Sequence, residues 1–377
     1  MARPMLMVLV LFALIGCSDP ATEQQVIRIG LIAPLSGQIP EVGKSSMEAA
    51  QLAVDEINAR GGLSLDGGRF RLELQIEDGE DRAEASVSAA LRLINRDRVS
   101  AIIGPQASRN AIAAAKVAER AQVPLISPWS THPDTTRGKQ WVFRVAFIDS
   151  FQGQVMARFV RHSMAVAKVA VLFDIASEYN RGLAEEFRSR FEALGGKIVA
   201  FESYTRDAPD VSAQLSRIAD SAAEALFLPN YHNEVPDQVR QARALGIQAL
   251  LIGSDTWGQI PEVHRRTIEG AFFVTHYAAD IADDRAQQFI SRYRQAFGRA
   301  PDDVAALTYD AFGLLAQATQ QQGRGDARSI RDGLAAIDVY QGVTGKIAYG
   351  DTGDPVKSAV IMEVRDGRFR FHARADP

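Results

Sequence analysis

One cysteine, Cys17, stands in 377 residues, so no internal disulfide can form in any compartment. Apolar runs are short as well. Met5 to Gly16 is about 12 residues, well under the roughly 20 that a bilayer-spanning helix needs. Charge of one sign is not in excess: Lys and Arg number 42 against 46 Asp and Glu. The net charge is −4, becoming −5 if Arg3 leaves with a leader, which excludes nucleic acid as an expected partner. The six histidines, His132, His162, His232, His264, His276 and His372, show neither H-x-x-x-H nor H-E-x-x-H spacing, so no metal site is expected. A G-x-S-x-G elbow is missing too. Gly37 precedes Gly43-Lys44-Ser45 by five residues, whereas a phosphate loop needs four so that successive amides ring one phosphate. Pro40 removes a further donor from that loop. No enzyme chemistry and no cofactor are therefore expected.

What is present begins with a leader. Arg3 followed by the short apolar core reads as a secretory signal over residues 1–16. It ends Leu14-Ile15-Gly16-Cys17, which matches the bacterial lipobox. Cys17 is the expected lipidation site, with residues 17–25 as a polar tether. Several acyl chains together anchor stably where one is marginal. The expected location is the periplasm, on a membrane through the lipid.

The remaining length suits two domains with a globular composition, 46% hydrophobic and 23% charged. Ile27 to Gly37 reads I-R-I-G-L-I-A-P-L-S-G, a strand entering a covered parallel sheet and then a Pro-Gly loop. Helices are expected at 42–59, 83–95 and 108–121, and strands at 70–76, 99–103 and 124–126. Asp78 is placed to cap the helix that starts at Ala83. The rhythm restarts with strands at 168–173, 197–201, 225–228 and 249–252, separated by helices at 179–194, 210–219 and 234–245. Two more helices follow at 284–297 and 304–321, then strands between 346 and 371. Alternation of this kind predicts an α/β fold of two doubly wound parallel-sheet lobes. The late return of helices predicts three crossings, near 144–146, 274–277 and 343–346. Lobe 1 is then 26–146 with 277–343, and lobe 2 is 147–276 with 344–377. A three-segment hinge of this kind permits closure.

Open α/β sheets place ligands beyond the carboxyl ends of their strands. Gly104-Pro105-Gln106-Ala107-Ser108 ends a strand and starts a helix, where amides and dipole favour an anion. Thr131, after the next strand, is positioned to face the same cleft. On local signals alone, Ser108 reads first as a plain helix cap and Thr131 as a turn residue, ahead of any ligand role.

Nine short motifs in order carry a family resemblance. They are P-L-S-G at Pro34, G-G-L at Gly61, I-I-G-P at Ile102, P-L-I-S-P at Pro124 and V-F-R at Val142. D-S-F-Q-G at Asp149, R-Q-A-R-A-L-G at Arg240, G-S-D-T-W at Gly253 and T-Y-D-A at Thr308 complete the series. With them the chain resembles the type I periplasmic binding proteins, the leucine/isoleucine/valine-binding group in particular, from Val26 to about Phe371. The resemblance implies a solute-binding protein of an ABC importer that closes on an amino acid or related small carboxylate and presents it to permease and ATPase subunits. It implies that Ser108 holds the ligand carboxylate, that Thr131 contacts both ends, and that Trp129 offers its backbone carbonyl to the ammonium. Asp255 would supply the counter-charge, and Tyr179 and Tyr231 would close over the ligand.

The chain also departs from the family pattern. Val42 stands where an aromatic residue is common, Trp129 replaces a small residue, and Trp257 follows Asp255 closely. These departures imply a reshaped side-chain pocket. Arg109 and His132 are read as solvated, with pairing to an acidic ligand side chain as the alternative. The competing function is a non-transport ligand sensor or a partner-binding outer-membrane lipoprotein on the same fold. Ser18 after Cys17 is compatible with outer-membrane sorting.

Overall fold

The computed structural model describes residues 25–377 apart from 209 and 282. The leader, Cys17 and nearly all of the tether lie outside the described residues. Among the described residues no helix is long and apolar enough to cross a membrane.

The first sheet is laid down by β1 (Gln25–Ala33), β2 (Leu63–Leu65), β3 (Gly68–Asp78), β4 (Ala101–Ile103), β5 (Leu125–Ser127) and β6 (Val142–Arg144). Its order is β2-β3-β1-β4-β5-β6, and every pairing is parallel except β2 with β3. Helices α1 (Pro40–Ala59), α2 (Ala83–Asn95) and α3 (Ser108–Ala121) connect these strands. Side chains of β1 alternate between faces as the pleat requires. Ile29 and Leu31 join the core under α1, and Ile32 joins the one under α2 and α3.

The second sheet uses β7 (Lys168–Asp174), β8 (Lys197–Tyr204), β9 (Ala225–Leu228), β10 (Leu250–Gly253) and β11 (Phe272–Thr275). Between them run α5 (Glu178–Ala193), α6 (Ser212–Ala219), α7 (Val235–Ala244) and the single turn α8 (Glu262–Arg265), with α4 (Asp149–Arg158) leading in from the first sheet. The chain then supplies α9 (Asp284–Phe297), α10 (Asp303–Gln322) and α11 (Ala327–Ala335), a small sheet of β12 (Tyr340–Gly342), β13 (Gly345–Tyr349) and β14 (Pro355–Val356), and the ribbon β15 (Ala359–Arg365) and β16 (Arg368–Ala375). Helices α9 and α10 pack on α1, beside the first sheet. The ribbon joins the second sheet antiparallel, in the order β16-β15-β11-β10-β9-β7-β8. Along the edge strand β16, exposed Arg368, Arg370, His372 and Arg374 alternate with half-buried Phe369, Phe371 and Ala373.

The sequence pattern misses the short elements β2, α8 and β12 and the helix α11, and three further elements for identifiable reasons. Strand β6 and strand β11 lie where only crossings are expected, because each is too short to show periodicity. Helix α4 escapes because polar Asp149 and Gln152 share its buried side with Val155 and Met156, which breaks the apolar stripe. Asp78 does not cap α2, whose first turn has no side-chain cap. It folds back instead on the Pro34–Gly37 loop, accepting from the Leu35 amide at 3.0 Å and the Ser36 hydroxyl at 2.6 Å. Gly43 serves this packing rather than a phosphate: a Cβ there would lie 2.1 Å from the Pro34 carbonyl oxygen.

Two buried charged residues fix the segments that run between the lobes. Arg144 of β6 is fully buried, donates to the Ser130 and His132 carbonyls, and pairs with Asp354 at 2.6 Å. Asp310 of α10 accepts from the Val343 and Thr344 amides at 2.7 and 2.9 Å and from the Thr344 hydroxyl, which also takes a bond from buried Lys357. Replacing Asp310 with alanine strands these donors, so Asp310→Ala is expected to cost about 3–5 kcal/mol of unfolding free energy. Urea denaturation measures it, and a loss under about 1 kcal/mol would show that Asp310 does not anchor the hinge.

Candidate functional site

The six side chains nominated from sequence meet around one cavity. Ser108, Trp129, Thr131, Tyr179, Tyr231 and Asp255 line it together with Gln106, Ala107 and Thr256. All six are at least 97% buried. The cavity measures about 10 Å³, near the room one water needs, and the lobes are closed over it. At the rim His232 meets Glu41 at 2.6 Å, and Arg206 bonds Gln38.

One wall is the start of α3. Its first amides have no intrahelical acceptor, so they and the dipole present a positive end. Ser108 is the first helical residue rather than the cap. Its hydroxyl accepts from Ser130 Oγ at 3.0 Å, and Ser130 is in turn 2.7 Å from Thr135 Oγ1. Arg144 holds this loop from below, which sets Thr131 beside Ser108.

The opposite wall belongs to the second sheet. Asp255 opens a 3₁₀ turn after β10. Tyr179, in the first turn of α5, donates its hydroxyl to Asp255 Oδ1 at 2.5 Å, and the Asp255 amide donates to Gln152 at 2.9 Å. His276 Nε2 stands 3.4 Å from Oδ2 without hydrogen-bonding geometry. Burial lowers the His276 pKa to about 4, so the ring is neutral at neutral pH. Asp255 thus lies in the interior with a phenol, an amide and a neutral imidazole around it. Tyr231 packs at 5.3 Å from Tyr179 and 6.5 Å from Trp129, completing an aromatic cover.

Taken together, the site offers an anion-binding helix end on one lobe and a buried carboxylate under aromatic rings on the other. The chain belongs to the periplasmic binding protein family. The family's profile matches residues 26–368. An amino acid binding protein of Pseudomonas aeruginosa is 29% identical over 98% of each chain. Among solved structures, a leucine binding protein of Thermotoga maritima superposes with a TM-score of 0.87 at 31% identity, covering 93% of this chain and 99% of that one. A branched-chain amino acid transporter substrate binding protein of Streptococcus pneumoniae, solved in complex with isoleucine, gives 0.84 at 31% over the same shares. These relatives make the protein a periplasmic solute-binding protein and not an enzyme, with the two-lobed α/β architecture that the resemblance implies.

Several side chains sit elsewhere than expected. Trp257 does not shape the cavity; its ring lies on Gly253, where a Cβ would be 2.1 Å from Cδ2, and its indole donates to the Leu228 carbonyl inside lobe 2. Arg109 is only partly exposed, does not line the cavity, and pairs with buried Asp81 at 2.5 Å. His132 is partly buried and caps a 3₁₀ turn through the Asp134 amide. Val42 belongs to the core under α1.

Sequence reasoning passed over Gln106, Asp149 and Asp303. Gln106 lies within the quoted Gly104–Ser108 segment, and Asp149 opens the D-S-F-Q-G motif. Asp303 carries no local signal, being 174 residues from Trp129, whose indole donates to its Oδ2 at 3.1 Å. Burial pushes the Asp149 and Asp303 carboxyls up to about 7. The Asp255 charge adds to both shifts, and bonds from Thr131 and Gln152, or from Trp129 and Gln259, offset part of them.

Raised carboxyl pKa values give a definite sign. Each group contributes stability that is fully present below the unfolded pKa and lost as pH rises through the folded value, here from about 4 to about 7. Asp149→Asn should therefore gain on the wild type by on the order of a few kcal/mol across that window. Unfolding free energies measured in a pH series check this, and parallel wild-type and variant curves would refute it.

Proposed function

We propose that this protein captures an amino acid zwitterion by closing its two lobes, 26–146 with 277–343 and 147–276 with 344–377, and delivers it to an ABC permease driven by ATPase subunits. In this reading Cys17 carries the lipid that tethers it to the membrane. The ligand carboxylate lies on Ser108, Thr131 and the first amides of α3. The ammonium lies between the Trp129 carbonyl and Asp255, under Tyr179 and Tyr231.

The observation that carries the reading is Asp255, a buried carboxylate with a neutral histidine where a cation would be expected. A ligand ammonium supplies the missing charge, and the helix end balances the other pole. Each lobe alone offers one pole, so charge-assisted bonds offset the desolvation of both ligand charges only after closure. The names of the relatives support an amino acid as ligand class.

Thermal-shift assays of the mature protein against amino acids test this directly. A ligand at a hundred times its dissociation constant adds about 2.7 kcal/mol of stability, and no shift with any of them sinks the proposal. Asp255→Ala should weaken the best ligand by about 2–5 kcal/mol in calorimetry; unchanged affinity removes Asp255 from the site.

A further inference from the structure

Resting on the reading that the lobes close on an amino acid, the contacts behind the cavity carry a further inference about how its two walls are held in register. Asp303 is the first residue of α10, which packs on α1 beside the first sheet. Its Oδ2 accepts from the Trp129 indole at 3.1 Å, and Trp129 is a cavity wall on the same lobe. Its Oδ1 accepts from the side-chain amide of Gln259, which comes from the opposite lobe. Gln259 ends the 3₁₀ turn that Asp255 begins. One buried carboxylate therefore joins the cavity wall of lobe 1 to the turn that carries the facing wall of lobe 2.

Burial separates this contact from the others that cross the cleft. At the rim, Glu41 of the His232 pair keeps a side chain 47% exposed, and Gln38 of the Arg206 bond is exposed as well. Water competes for such contacts and salt screens them. Asp303 is 5% exposed and Gln259 8%. Hydrogen bonds to a carboxylate are the stronger class, and a low-dielectric interior strengthens them further. Because it spans the cleft, the Gln259 bond is broken when the lobes part, whereas the Trp129 bond lies within lobe 1.

We propose that Asp303 is a positioning residue for ligand capture. Through Gln259 it holds the closed form, and through the same carboxylate it sets the spacing between Trp129 and Asp255, the two groups assigned to the ligand ammonium. Asp303 does not line the cavity and acts through these neighbours.

Reversing the polarity of the bond tests this. Gln259→Glu is nearly isosteric and sets a second carboxylate against Asp303. Adding Asp303→Asn restores one amide facing one carboxylate, with the new amide oxygen still able to accept from Trp129. Calorimetry and stopped-flow kinetics are run at pH 8, above the value of about 7 to which burial raises the Asp303 carboxyl. The probe is whichever common amino acid gives the wild type its largest thermal shift. Gln259→Glu should bind it about tenfold or more weakly, with the loss in the dissociation rate. The double variant should return to within about threefold of the wild type, a rescue that a merely space-filling role would not give. Unchanged affinity in Gln259→Glu, or a loss that Asp303→Asn does not recover, overturns the proposal. If Gln259→Glu does not fold, Gln259→Met removes the donor without adding charge: binding about fivefold weaker supports the clasp, and wild-type affinity overturns it. Failure of every amino acid to bind the wild type, by contrast, removes the closure reading and this inference with it.

Discussion

A carboxylate in a protein interior must be paired, hydrogen-bonded or protonated, because bare burial of its charge costs several kcal/mol. Asp255 imposes that constraint on everything around it. Tyr179 of α5 donates to its carboxylate, Gln152 of α4 takes its backbone amide, and His276 after β11 lies 3.4 Å away. Its field reaches further. Burial, with Asp302 beside Asp303 and the Asp255 charge adding to it, holds the Asp149 and Asp303 carboxyls up to about 7. The closed lobes thus enclose a region short of positive charge, facing a helix end that lacks negative charge. A zwitterion is the simplest molecule that answers both deficits at once.

The same constraint explains how the lobes are coupled to the segments between them. Arg144 holds the Ser130–Thr136 loop and reaches Asp354 in the tail. Asp310 fastens Val343 and Thr344 to α10. Both buried groups bind backbone, which fixes path rather than side-chain contact.

Much of this was legible in the sequence, for an identifiable reason. Strand and helix periodicity reports burial directly, and α3, α9 and β9 fall on their expected residues to the letter. The six cavity residues were nominated through the family resemblance; Asp255 alone lies inside one of the quoted motifs, and the others stand a few residues beyond strand ends. What escaped depends on distance or on direction. Asp303 touches Trp129 across most of the chain, which no local pattern encodes. Trp257 sits two residues past Asp255, yet the 3₁₀ turn sends its ring into the core of lobe 2. Asp78 precedes a helix like a cap, but the loop after β1 claims its oxygens first.

The row of arginines on β16 has a meaning beyond its own lobe. An edge strand exposes unpaired amides and carbonyls that invite another chain to extend the sheet. With Arg368, Arg370 and Arg374 along its outward face, the approach of a second copy of this strand would set like charges opposite one another. Two copies would thus be kept from zipping edge to edge through this strand.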